Sequence, residues 1–120
     1  MSELWRDLLI VVLALATSTI VSIGGLGSRI AAHLAAAGAR VSAIVRKHSR
    51  LDGASVAQYA LADVTDHVAL STAFASVAPF DGVVNSTGVV AFGNVADLDD
   101  ATLGRLFAVN ALAPIVMLRT

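Results

Sequence analysis

Three glycines in four residues, Gly24-Gly25-Leu26-Gly27, stand between a β-branched run, Thr19 to Ile23, and an alanine-rich stretch, Ser28 to Ala37. That order predicts a strand, a tight turn and a helix. Glycine reaches positive φ freely and leaves room where a Cβ would block an approaching group. The helix beyond the turn aims its unpaired N–H groups and the positive end of its dipole at the same point, which suits a pyrophosphate. A glycine cluster in an ordinary loop would look similar, so the rest of the chain decides.

Strand and helix alternate after the turn. Ile30, Leu34 and the alanines between them make an apolar stripe, and Gly38 is placed to end that helix. Val41 to Val45 is the nearly continuous apolar run expected of a parallel strand buried on both faces. Ser55 to Leu61 predicts a third strand, leading to Asp63-Val64-Thr65-Asp66. Thr65 or Asp66 can cap a helix that carries Val68, Leu70 and Phe74 through Val77, with Pro79 ending it. Gly82 to Asn85 is a short fourth strand, and Asp97 or Asp99 opens a helix through Leu103, Leu106 and Phe107 toward Leu118. The alternation predicts an α/β fold, a sheet with right-handed crossovers.

The chain's 120 residues suffice for one domain with a real core. With 57% apolar and 14% charged residues, it is either a heavily buried α/β core or partly membrane-associated. No charge falls between Leu8 and Ser28, and Ala14-Leu15-Ala16 resembles a signal-peptidase site. Glu3 and Asp7 against Arg6 are not the positive flank that either a signal or an inward anchor prefers. Thr17, Ser18, Thr19, Ser22 and the glycine turn also interrupt the run. Residues 1–17 are therefore expected to be an apolar N-terminal extension, with Leu4 to Ala16 a helix or extra strand, and residues 18–120 the folded domain. The expected location is cytoplasmic; the competing reading is membrane association through residues 8–28.

A net charge of −1 with scattered Lys and Arg argues against nucleic acid. The absence of cysteine excludes disulfides and thiol catalysis. Metal-ligand spacing is missing, and Ser86, His33, His48 and His67 form no nucleophile and base constellation.

About 20 residues beyond the glycine turn, a dinucleotide fold places the side chain that meets the adenosine ribose. Val45 is followed there by Arg46 and Lys47. An acid at that point would bond the 2′-hydroxyl of NAD, whereas a cation accommodates the 2′-phosphate of NADP. NADP is the expected cofactor in preference to NAD. The same cations weigh against an S-adenosylmethionine methyltransferase, whose second strand usually ends in an acid.

From about Thr19 onward the chain resembles the short-chain dehydrogenases/reductases, on four elements in the family's order. Gly24, Gly25, Leu26 and Gly27 resemble its cofactor turn. Asp63-Val64 resembles the Asp-Val pair after the third strand, where the acid is implied to meet the adenine. Asp81-Gly82-Val83-Val84-Asn85-Ser86-Thr87-Gly88 resembles the fourth strand and its Asn-Asn-Ala-Gly motif, with Asn85, Ser86 and Gly88 at the cofactor. Phe107-Ala108-Val109-Asn110 resembles the helix segment whose Asn, here Asn110, joins the catalytic tetrad. Pro114 lies four residues past Asn110, cannot donate to its carbonyl and should kink the helix there. The resemblance implies a Rossmann-like doubly wound parallel sheet, about four strands of it in these residues. It also implies an NADP-dependent oxidoreductase acting on a small carbonyl or alcohol.

Two departures qualify that resemblance. One family glycine is missing: its place falls on Val21, or in another register on Ile30, and a Cβ there is expected to crowd the pyrophosphate or strain the turn. The family's Ser and Tyr-x-x-x-Lys are also missing, because the one Tyr is Tyr59 and the one Lys is Lys47. The chain is thus expected to represent the cofactor-binding half of such an enzyme, with an exposed edge on the fourth strand, Gly82 to Asn85, that favours homo-oligomers or aggregation. The alternatives are a nucleotide-binding module without catalysis and a degenerate, membrane-tethered remnant.

Overall fold

A computed structural model describes residues 17–120, so the helix or strand expected over Leu4 to Ala16 lies outside the described residues. Four strands, β1 (Thr17–Val21), β2 (Arg40–Val45), β3 (Gln58–Leu61) and β4 (Gly82–Asn85), form one sheet in the order β3-β2-β1-β4. Every pairing is parallel. Helix α1 (Gly25–Ala36) connects β1 to β2, and α2 (His67–Val77) connects β3 to β4. After β4, α3 (Asp100–Phe107), a π turn (Ala108–Leu112) and α4 (Ala113–Arg119) follow in succession.

Neighbouring strand residues point to opposite faces, and each face holds its own core. Val21 and Ile44 pack with Leu70, Phe74 and Val77 of α2 and with Val109, Ala113 and Val116 of the long helix that α3, the π turn and α4 form together, Asp100–Arg119. Ile20, Ala43 and Val45 pack on the other side with Ala31, Ile30 and Leu34 of α1. The sheet is doubly wound, as expected. β1 lies in its centre, and Thr19, Ile20 and Val21 are fully buried.

Element boundaries differ from expectation where turns intervene. β1 ends at Val21 rather than Ile23, because Ser22 takes a left-handed φ of 73° that breaks the strand. Helix α1 begins at Gly25, inside the glycine cluster, instead of at Ser28. It ends at Gly38 with φ 94°, where Ala39 N–H reaches the Leu34 carbonyl and Gly38 N–H the Ala35 carbonyl, both at 3.0 Å. β3 starts at Gln58 and not at Ser55, because the preceding residues turn back, with Ala54 N–H on the Leu51 carbonyl at 2.9 Å. Asp66 is the cap of α2, its carboxylate accepting the Ala69 N–H at 3.0 Å, and the extended Ala78 before Pro79 ends that helix.

Residues 17–28 are a strand, a turn and the start of a helix, so the uncharged run over residues 8–28 is not one helix. Asp100–Arg119 is long and apolar enough to cross a membrane, with a mean hydropathy of 1.6. Its Val109, Ala113 and Val116, however, are part of the core. The kink expected at Pro114 takes the form of the π turn, in which Ala113 N–H bonds the Ala108 carbonyl.

Candidate functional site

The carboxyl ends of the strands open onto a cavity of about 380 Å³. It lies where the chain, having built β2 and β3 on one side of β1, returns to place β4 on the other. Open α/β sheets bind ligands at that reversal. The turn Ser22 to Gly27 forms one wall, and Ser86, Thr87 and Gly88 after β4 form another. Asp63 and Val64 after β3, Arg46 and Arg50 after β2, and Arg105 and Val109 of the long helix complete it.

The three turn glycines do different work. A Cβ on Gly24 or Gly25 would meet nothing, so these two leave the cavity side open. A Cβ on Gly27 would run into the Ser22 carbonyl and the Ser86 hydroxyl, so Gly27 lets α1 close on the strand ends. Gly24, the N-cap, makes no side-chain cap, and the first helical bond to its carbonyl comes from Ser28 at 2.9 Å. The amides before Ser28 in the first turn have no partner within the helix. They fit an anionic group, and a dinucleotide's pyrophosphate is one.

Neither residue that stands in place of the missing glycine lines the cavity. Val21 points into the core beside Ile44, and Ile30 of α1 packs against the core on the other face of the sheet. The residue that carries the turn's backbone strain is Ser22.

Asp63 holds a charge in the cavity. Its carboxyl lies below the usual carboxylate range, first because Thr65 donates its backbone N–H at 3.0 Å and its hydroxyl at 2.8 Å. Burial opposes that shift, and the positive charges of Arg46 and Arg105 add to it. Arg50 and Arg105 belong to no motif and were not foreseen. Arg50 arrives through the 3-10 turn His48–Leu51, closed by its own N–H on the Lys47 carbonyl at 3.1 Å.

Three residues expected at the cofactor or the reaction do not line the cavity. Lys47 follows Arg46 in extended backbone, so the two side chains diverge. Asn85 is turned onto its own loop, its amide oxygen accepting the Thr87 N–H at 3.0 Å and the Thr87 hydroxyl. Asn110 holds Val89, accepting its N–H at 2.9 Å and donating to its carbonyl at 2.8 Å. Both amides shape the segment after β4 from behind. Gly24, Gly25, Leu26, Gly27, Arg46, Asp63, Val64, Ser86 and Gly88 do meet at the cavity. Among the described residues, no His, Asp and Glu cluster could hold a metal ion.

Comparison with known proteins agrees with this architecture. The family model described as short chain dehydrogenase matches residues 19–120. The chain belongs to the short-chain dehydrogenase family. It is 40% identical over 95 residues to galactitol 2-dehydrogenase (L-tagatose-forming) of Cereibacter sphaeroides, covering 72% of this chain and 37% of that protein. A dehydrogenase/reductase from Sinorhizobium meliloti 1021 superposes with a TM-score of 0.76 at 25% identity, over 94% of this chain and 51% of that one. The F189W actinorhodin polyketide ketoreductase, solved with NADPH, shares the fold with a TM-score of 0.77 at 21% identity, over 87% of this chain and 45% of that one. The chain thus spans between about a third and a half of the length of these short-chain dehydrogenases. Its Rossmann-like sheet is the nucleotide-binding architecture of an oxidoreductase family.

Proposed function

We propose that these residues form the dinucleotide-binding part of an oxidoreductase that uses NADP in preference to NAD and acts on a small alcohol or carbonyl compound. The observation that carries the reading is the meeting, at one cavity, of the open glycines Gly24 and Gly25 with the guanidinium groups of Arg46 and Arg50. The bound dinucleotide would supply the hydride donor or acceptor. The first-turn amides of α1 take its pyrophosphate. Arg46 and Arg50 take a 2′-phosphate, for which guanidinium forks are well matched. Asp63, held as an anion, accepts a hydrogen bond from the adenine amino group, and Val64 and Val109 form apolar walls. Asn110 serves from its main chain: Pro114 cannot donate to its carbonyl, which is left to hold a water for proton transfer. Proton transfer itself needs a Tyr and Lys that these 120 residues do not pair, since Tyr59 and Lys47 are not four apart. An alcohol or carbonyl substrate is favoured by the likeness to galactitol 2-dehydrogenase.

Fluorescence titration tests the cofactor reading. NADPH should bind at least about tenfold more tightly than NADH, and Arg50→Ala or Arg46→Ala should remove about that factor from NADPH alone. Equal affinities in the unaltered chain would end the NADP assignment. No response to NADPH at millimolar concentration would end the dinucleotide reading.

A further inference from the structure

Ser22 is the one non-glycine residue among those described with a positive φ, 73°. An L-residue leaves that region readily, because its Cβ crowds the backbone there. Something must hold it. Its N–H donates to the Ile44 carbonyl at 2.8 Å, which extends the β1–β2 ladder by one bond. Its carbonyl accepts the Ser86 hydroxyl at 2.7 Å, and the same hydroxyl lies 3.0 Å from the Val21 carbonyl. Ser86 N–H reaches that Val21 carbonyl too, at 3.1 Å. Ser86 after β4 therefore ties both carbonyls at the point where β1 becomes the glycine turn, its N–H on Val21 and its one hydroxyl proton closest to Ser22. Gly27 leaves just the room this grip requires, since a Cβ there would strike the Ser22 carbonyl and the Ser86 hydroxyl.

We propose that Ser86 is a positioning residue whose hydroxyl holds Ser22 in its left-handed conformation and thereby sets the affinity of the glycine turn for a dinucleotide's pyrophosphate. The inference rests on the dinucleotide reading above and adds a residue pair to it. Ser22 precedes Ile23, Gly24 and Gly25, so its φ directs every amide that follows toward the cavity. Without the hydroxyl, Ser22 relaxes toward negative φ for part of the time, and the apparent dissociation constant rises by the reciprocal of the competent fraction. The adenosine end, with Arg46, Arg50 and Asp63, sits on β2 and β3 and is untouched.

Two probes separate this role from a general loss of structure: NADPH, which spans the turn, and adenosine 2′-monophosphate, which reaches only the adenosine end. In the full chain, Ser86→Ala should weaken NADPH about tenfold, the worth of one hydrogen bond to the turn. It should leave adenosine 2′-monophosphate within about twofold. Adding Ser22→Gly to Ser86→Ala should recover most of the NADPH affinity, because glycine adopts positive φ without the steric cost that a serine pays. Ser86→Cys, which keeps the shape with a weaker donor, should lie between, and it carries the test if circular dichroism shows Ser86→Ala unfolded. Unchanged NADPH affinity, equal loss of both probes, or no recovery with Ser22→Gly overturns the proposal. An unaltered chain that binds adenosine 2′-monophosphate but not NADPH overturns it as well. An unaltered chain that binds neither removes the dinucleotide reading and the proposal with it.

Discussion

Asp63 keeps its charge through local chemistry. Thr65, two residues on, donates twice to its carboxylate, and Arg46 and Arg105 add positive potential from β2 and the long helix. A carboxyl whose pKa is lower folded than unfolded stabilises the fold at every pH above the unfolded value, and that contribution fades as pH falls through the folded value. Asp63→Asn keeps an acceptor for Thr65 but not the charge. Urea unfolding should find it less stable than the parent by a margin that is constant from about pH 8 to pH 5 and closes in acid below about pH 4. A margin that widens in acid would contradict the assignment. Thr19 makes a separate case: fully buried in the central strand, its hydroxyl finds no partner among the described residues. Thr19→Val, similar in shape and apolar, should raise stability by about 1 kcal/mol, read as a higher thermal midpoint.

At the scale of elements, the caps and turns decide where each strand and helix stops. Asp66 caps α2 through the Ala69 N–H, so Asp66→Ala should cost about 1 kcal/mol in chemical denaturation. No change in midpoint would mean that the first turn of α2 is held by packing alone. β4 and α2 were legible in the sequence, because proline, aspartate and glycine bracket short apolar runs there. β3 is three residues shorter than the Ser55 to Leu61 run, because Val56 N–H bonds the Ala54 carbonyl and the chain joins the sheet as a strand only at Gln58. Arg50 and Arg105 were not legible at all. Neither belongs to a motif, and only the 3-10 turn and the helix packing bring them beside Arg46 and Asp63. Lys47 is the opposite case: its extended backbone beyond β2 turns it away from the cavity that Arg46 lines.

Across the whole molecule, the apolar surface is unevenly covered. Leu103, Phe107, Ile115 and Leu118 of the long helical stretch stand 42%, 64%, 56% and 90% exposed, at spacings that keep them near one face. β4 pairs with β1 alone among the described residues, and its Val83 is 43% exposed. An apolar helix face and an open strand edge together favour association. Size exclusion with light scattering on the 120-residue chain should give a mass above the monomer's 12.3 kDa. Phe107→Glu with Leu118→Glu should lower it, and a monomer for the parent chain would rule the association out.

The sequence by itself determined the order of strands and helices, the doubly wound class and the family. Each of these depends on local patterns: glycine spacing, runs of apolar residues and the residues that stop them. The tertiary structure decided which of those residues meet. It put Val21 in the core and not at the cavity, turned Asn85 and Asn110 onto backbone, and brought Arg50 and Arg105 to the cavity. It also set the turn's strain on Ser22, held by Ser86 just past β4 and 64 residues away. Such contacts depend on how strand ends converge, and no spacing along the chain encodes that convergence.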